Sequence, residues 1–171
     1  MKLSETHNLE LPSIPLALQK KNNAMGFITT LKSAFTNSNP SKTATTDSTE
    51  AIIKAIDNKP LAISDHNVLY AGLNELGGYY VFQTVVVGAF KVKTKKGAQL
   101  SIRGKGFSFD LESDSVEFES ESAGVKGRYV TKIDFQIEKR DASKLAPLKI
   151  EGLTLRCKQH EIVFNSVRKT A

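Results

Sequence analysis

The sequence predicts a mainly β protein: an antiparallel meander forming a sandwich or barrel of seven to eight strands, with one or two short N-terminal helices packed on it. Three observations carry that expectation. Tyr79–Lys95, YYVFQTVVVGAFKVKTK, places Tyr80, Phe82, Thr84, Val86, Phe90, Val92 and Thr94 on alternate positions, the period-2 pattern of a strand with one buried face. Bends suited to hairpins follow at Lys95-Lys96-Gly97, Gly104-Lys105 and Ser113-Asp114. Those three turns bring the apolar residues into one register. Val92 falls opposite Leu100, Leu100 opposite Phe109, and Phe109 opposite Phe118. Thr94, Ala98, Leu111 and Val116 make a second row, and Phe90, Ile102 and Phe107 a third.

Residues 1–48 read as a leader with one amphipathic helix and a linker, and residues 49–171 as a single β domain with its own short helix. In the leader, Phe27, Ile28, Leu31, Ala34 and Phe35 share one helical face. Residues 37–48 are so rich in Ser, Thr and Asn that a flexible linker is expected. A second helix begins at an Asp47 or Ser48 cap, turns Ile52, Ile53 and Ile56 to one side, and ends by Asn58 and Pro60. Its apolar side suits the outer face of the following long strand, where Val81, Val85, Val87 and Ala89 need a cover.

Leu61–Ser64 is expected to form a short strand, while Asn67–Leu76 fits helix or irregular structure equally well. Gly77-Gly78 marks the turn into the long strand, and Gly88 is the place for a bend or bulge within it. After a loop over 120–127, Tyr129, Thr131, Ile133, Phe135 and Ile137 alternate inward. A tight Lys158-Gln159 turn closes the last hairpin, with Leu155 against Ile162, Leu153 against Phe164, and Arg156 against Glu161.

The net charge of +6 matters less than its distribution. Residues 91–105 carry six bases and no acid, and 106–121 carry six acids and no base. On the expected sheet the basic strand, with Lys91, Lys93, Lys95 and Arg103, and the acidic strands, with Asp110, Glu112, Glu117 and Glu119, polarise one exposed face. That arrangement predicts a non-enzymatic protein–protein interaction or assembly module, binding a protein partner or another copy through complementary charge. The alternative from another class is a carrier of a small apolar ligand, with Tyr80, Phe82, Phe109, Phe118, Tyr129 and Phe135 lining a barrel interior.

Other chemistries are poorly served. Nucleic acid lacks exposed aromatics between the lysines, and the neighbouring acids repel phosphate. Cys157 and His160 face each other across the last turn but have no third orienting group, so no catalytic residue and no cofactor is expected. Asp110 is expected to face Glu117, an opposition that Arg128 and Lys132 on the next strand would offset better than a bound Ca²⁺, since no EF-hand order is present. Peripheral membrane contact through Phe27–Phe35 is the weaker use of that helix. A single cysteine and no apolar leader core point to a cytoplasmic protein.

Overall fold

The computed structural model describes residues 48–145 and 149–167, so the expected amphipathic helix over Phe27–Phe35 and the linker lie outside the described residues. Helix α1 (Thr49–Ala55) precedes strands β1 (Ala62–Ile63), β2 (Asn67–Leu76), β3 (Tyr79–Gly88) and β4 (Lys93–Thr94). Strands β5 (Gln99–Gly104), β6 (Phe107–Glu112), β7 (Phe118–Glu119), β8 (Glu121–Ser122) and β9 (Tyr129–Ile137) follow. A short helix α2 (Lys139–Ala142) and a 3-10 turn (Ser143–Leu145) lead into β10 (Ile150–Cys157) and β11 (His160–Ser166). The fold is mainly β and antiparallel. Nine strands form one sheet in the order β6-β5-β10-β11-β1-β2-β3-β9-β8, and β4 and β7 form a separate two-stranded ribbon.

The sheet curls into a half-barrel until its first strand reaches its eighth. Just past β6, Ser113 bridges Phe135 of β9, and the Asp114 N–H donates to the Asp134 carbonyl at 2.8 Å. Inside the curl, Leu100, Ile102, Phe135, Leu153, Leu155 and Phe164 are at most 1% exposed and belong to one contiguous cluster. Ala142 and Leu145 enter the same cluster from the segment that crosses from β9 to β10. Burial of this many aliphatic and aromatic side chains supplies the main driving force for the fold.

On the outer face, α1 covers β2 and β3 as its apolar side requires. The Ser48 hydroxyl caps the helix by accepting the Ala51 N–H, and Ile52 and Ile56 pack with Val68, Tyr70, Val85, Val87 and Val130. The last hairpin matches its expected register, with Leu155 opposite Ile162, Leu153 opposite Phe164, and Arg156 Nε 2.9 Å from Glu161 Oε2. Lys158 takes the positive φ of 54° that its turn demands. Strand β9 buries Thr131, Ile133, Phe135 and Ile137 as its alternation requires.

Four expectations are corrected. Asn67–Leu76 is a ten-residue strand paired along its whole length with β3, because Gly77 and Gly78 form a tight turn that forces the segment alongside. The stretch Tyr79–Lys95 is not one strand. At Gly88 (φ 148°) the chain swerves, since a Cβ there would lie 2.1 Å from the His66 carbonyl oxygen. Beyond it, side chains replace the ladder: Asn67 Oδ1 accepts the Phe90 N–H and Ser120 Oγ the Val92 N–H, each at 2.8 Å. The chain then pairs as β4 with β7, so Val92 does not oppose Leu100, and β5 lies between β6 and β10 instead.

Third, the β5–β6 turn is Lys105-Gly106, with φ 80° at Gly106, rather than Gly104-Lys105. The register therefore slips by two, with Ile102 opposite Phe109 and Leu100 opposite Leu111. A slip of two keeps every side chain on its face, which is why the apolar pattern could not detect it. Fourth, Ser113-Asp114 joins no hairpin: β6 and β7 do not pair, Phe109 does not oppose Phe118, and Val116 is 62% exposed. The structure also has more strands than the seven to eight expected, since Asn67–Leu76 adds β2, the break at Gly88 separates β4 from β3, and the two-residue β8 lies within the expected 120–127 loop. No described helix is long and apolar enough to cross a membrane.

Candidate functional site

The structure divides the eight residues of the expected charged face between two places. Lys93 and Glu119 oppose each other across the β4–β7 ribbon with Nζ 2.7 Å from Oε2, and Lys95 Nζ lies 3.7 Å from Glu117 Oε1. Here the basic and acidic blocks meet and neutralise each other. Lys91 holds its ammonium 5.0 Å from the centroid of the Tyr129 ring. Arg103, on β5, stands opposite Ser108. Asp110 and Glu112 lie apart from the ribbon, on the exposed side of β6, so the expected opposition of Asp110 and Glu117 does not arise.

Asp110 Oδ1 accepts from the Ser101 hydroxyl at 2.5 Å, and Glu112 Oε1 accepts from Gln99 Nε2 at 3.1 Å. Both partners are uncharged. Ser101 is joined in turn to Arg156, whose Nη1 donates to Oγ at 3.2 Å while its Nε holds Glu161. The expected neutralisers of the acidic row are elsewhere: Lys132 reaches Glu121 at 3.9 Å, and Arg128 is buried at the end of the 120–127 loop. Asp110 and Glu112 thus carry net negative charge at the rim of the sheet.

Strand β6 is also where the sheet begins. Opposed residues of an antiparallel ladder alternate between pairs that exchange both hydrogen bonds and pairs that exchange none. The Ser113 N–H donates to the Ala98 carbonyl at 2.8 Å, which fixes the phase: Phe107, Phe109 and Leu111 bond β5, and the N–H and C=O of Ser108 and Asp110 point away from it. Among the described residues no strand pairs with that outer edge over Phe107–Asp110, and beyond it the Ser113–Phe135 bridge joins the edge to β9. The inward side chains of β6 are only half-buried. Phe107 and Phe109, with ring centroids 5.2 Å apart, and Leu111 pack against the interior cluster but keep part of their surface open, and Lys144 holds its ammonium 5.5 Å from the Phe109 centroid.

Comparison with protein families, characterised proteins and solved structures finds no match for this chain. A second feature, a cleft of about 140 Å³, sits where the curl is stitched, lined by Asp114, Ser115, Phe118, Lys132, Ile133 and Asp134. Burial pushes the Asp134 carboxyl above its usual range, the Asp114 charge adds to that, and the amide of Gln83 opposes it through a 3.4 Å hydrogen bond. Among the described residues no three His, Cys, Asp or Glu side chains are close enough to share a metal ion.

Cys157 and His160 do oppose each other across the last turn. The buried thiol donates to the Gly97 carbonyl at 3.4 Å, and burial raises its pKa, outweighing the hydrogen bond with Thr94 and the charge of Lys158. The imidazole packs edge-on against Phe90 at 5.3 Å. Burial thus favours the protonated thiol, and the imidazole is packed on the Phe90 ring. The edge position of β6 carried no signal in the sequence, because strand order is set by the distant partners β10 and β9.

Proposed function

We propose that this chain is a non-enzymatic protein-interaction module that receives an extended segment of a partner as an added strand on the outer edge of β6. One observation carries the reading: the outward N–H and C=O groups of Ser108 and Asp110 stand beside half-buried Phe107, Phe109 and Leu111. Strand addition needs both parts, since main-chain hydrogen bonds supply affinity and alternate side chains supply specificity. An edge of this kind is elsewhere blunted by bulges, proline or cover. On β6 the shielding comes from two carboxylates and one lysine.

The pairing of Lys93 with Glu119 and of Lys95 with Glu117 moves the emphasis of the interaction face from a gradient across the sheet to the acidic rim at Asp110 and Glu112. The carrier reading draws less support. Tyr80, Phe82 and Phe135 belong to the interior cluster, and Phe109 and Phe118 pack against it, so these aromatics fill the curl with one another.

The test uses peptides selected by display on the intact protein and measured against wild type and Ser108→Pro. The Ser108 N–H points away from β5, so proline there removes an edge donor without removing a ladder bond. Selected peptides should bind wild type and lose binding to the variant at unchanged melting temperature. Equal binding to both would refute the edge as receptor.

A further inference from the structure

The two sides of β6 specify opposite chemistries for an incoming strand, and from this we infer the partner: a segment of another protein in which apolar residues alternate with lysine or arginine. The inference depends on β6 being the receptor edge. A strand laid along Phe107–Asp110, short of the stitch at Ser113, shares the pleat, so residues of one parity fall beside Phe107 and Phe109 and those of the other beside Ser108 and Asp110, with Glu112 next along the same rim. The first set meets half-buried apolar surface. The second meets a rim with two carboxylates whose hydrogen-bond partners, Ser101 and Gln99, bring no charge, and neither carboxylate is in an ion pair among the described residues.

The cations nearby leave that rim acidic. Arg103 is opposite Ser108, two pairs along the ladder from Asp110; Arg156 reaches Ser101 but is committed to Glu161; and Lys144 lies over the Phe109 ring on the inward side. Asp110 therefore attracts a basic side chain directly across the new strand pair, the arrangement that opposite charges favour in sheets, and Glu112, two residues further on, adds to the acidic potential. The same two residues argue against a second copy as occupant. A twofold pairing of β6 with itself would place two Asp110 and two Glu112 on one face, like charge against like.

The experiment is fluorescence anisotropy at low salt with three labelled peptides that share alternate valines and differ only in the residues between: lysine, threonine or glutamate. Each is titrated with wild type, Ser108→Pro and the double variant Asp110→Lys, Glu112→Lys. The lysine peptide should bind wild type about tenfold more tightly than the threonine peptide, with that margin shrinking in salt, and the double variant should prefer the glutamate peptide. Addition of the lysine peptide should also slow hydrogen exchange at the Ser108 and Asp110 amides, a readout that holds whether or not Ser108→Pro folds. If the lysine and threonine peptides bind alike and both protect those amides, the basic partner is refuted while the edge stands. If no peptide protects them, the edge falls too. A concentration-dependent dimer of the protein alone whose formation protects the same amides would overturn the exclusion of a second copy.

Discussion

The carboxamide of Asn67 accepts the backbone N–H of Phe90 at 2.8 Å, at the point where the chain leaves strand β3 and the sheet ladder can no longer serve it. Asn67 is 7% exposed, and Phe90 3%, so water does not replace the bond. Asn67→Ala should lower stability by about 1–3 kcal/mol, the cost of a buried donor left without an acceptor. Asn67→Leu separates the two causes of that loss. It fills the space yet accepts nothing, so urea unfolding should show a similar deficit; a leucine that restores stability would assign the effect to packing.

Gly88 and Gly72 make a pair of opposite expectations in the same hairpin. Gly88→Ala brings a Cβ against the His66 carbonyl and the Asn67 backbone at a φ of 148°, so the two strands must part, with a loss of at least about 2 kcal/mol. Gly72, opposite Gln83 on β2, has nothing within 4 Å of the same position. Gly72→Ala should raise stability by up to about 1 kcal/mol through the reduced freedom of the unfolded chain. Thermal melts of the two variants side by side decide the matter.

Helix α1 has seven residues, too few to persist alone, and it is held by Ile52 and Ile56 against Val68, Tyr70, Val85 and Val87. Ile52 is fully buried, and Ile52→Ala should lower stability by about 2–5 kcal/mol. Ile52→Asp should undock the helix altogether, exposing the Val85 and Val87 row. Limited proteolysis then cuts near residue 55 in the aspartate variant and not in wild type.

Alkaline titration reports on the same outer layer. Burial pushes the Tyr70 hydroxyl up to about 12, with the Arg128 charge pulling in the other direction. An acid whose pKa rises on folding keeps the neutral form, so its contribution is intact below the ordinary 10.0 and is lost as pH climbs from there towards 12. Phenolate absorbance should show a late step that Tyr70→Phe removes, and the variant should unfold at higher pH than wild type.

The sequence determines the faces of this fold far better than the neighbours. Period-2 alternation marks Tyr80, Phe82, Ile133 and Phe135 as inward because the pleat imposes it locally, and those residues are buried. The Arg156–Glu161 pair was legible for the same reason, its turn being two residues long. Partner choice over long range was not. Leu100 meets Leu155, fifty-five residues on, rather than Val92, because Gly88 and the hydroxyls of Ser120 and Thr131 draw the chain out of the sheet first. The charged ribbon and the acidic rim of β6 both follow from that one departure. Of the eight residues expected on one face, four close into two ion pairs, and Asp110 and Glu112 stand at an edge that no local pattern announces.

The stitch that holds the curl places two carboxyl groups side by side, since the Asp114 N–H must approach the Asp134 carbonyl for the sheet to meet itself. Asp134 pays for this with a pKa above its ordinary 3.8, through burial first and the charge of Asp114 after it, against the amide of Gln83; Lys132 lines the same cleft. A carboxyl raised in the native state binds more protons there than in the unfolded chain, so its contribution is favourable below the ordinary value and is lost as pH rises through the native one. Asp134→Asn should therefore stabilise the protein at pH 7 and not at pH 3, where the native side chain is already protonated. Urea unfolding at the two values measures the difference directly. A gain of equal size at both would mean that shape rather than charge limits the seam, and the closure of the curl would then be independent of proton uptake.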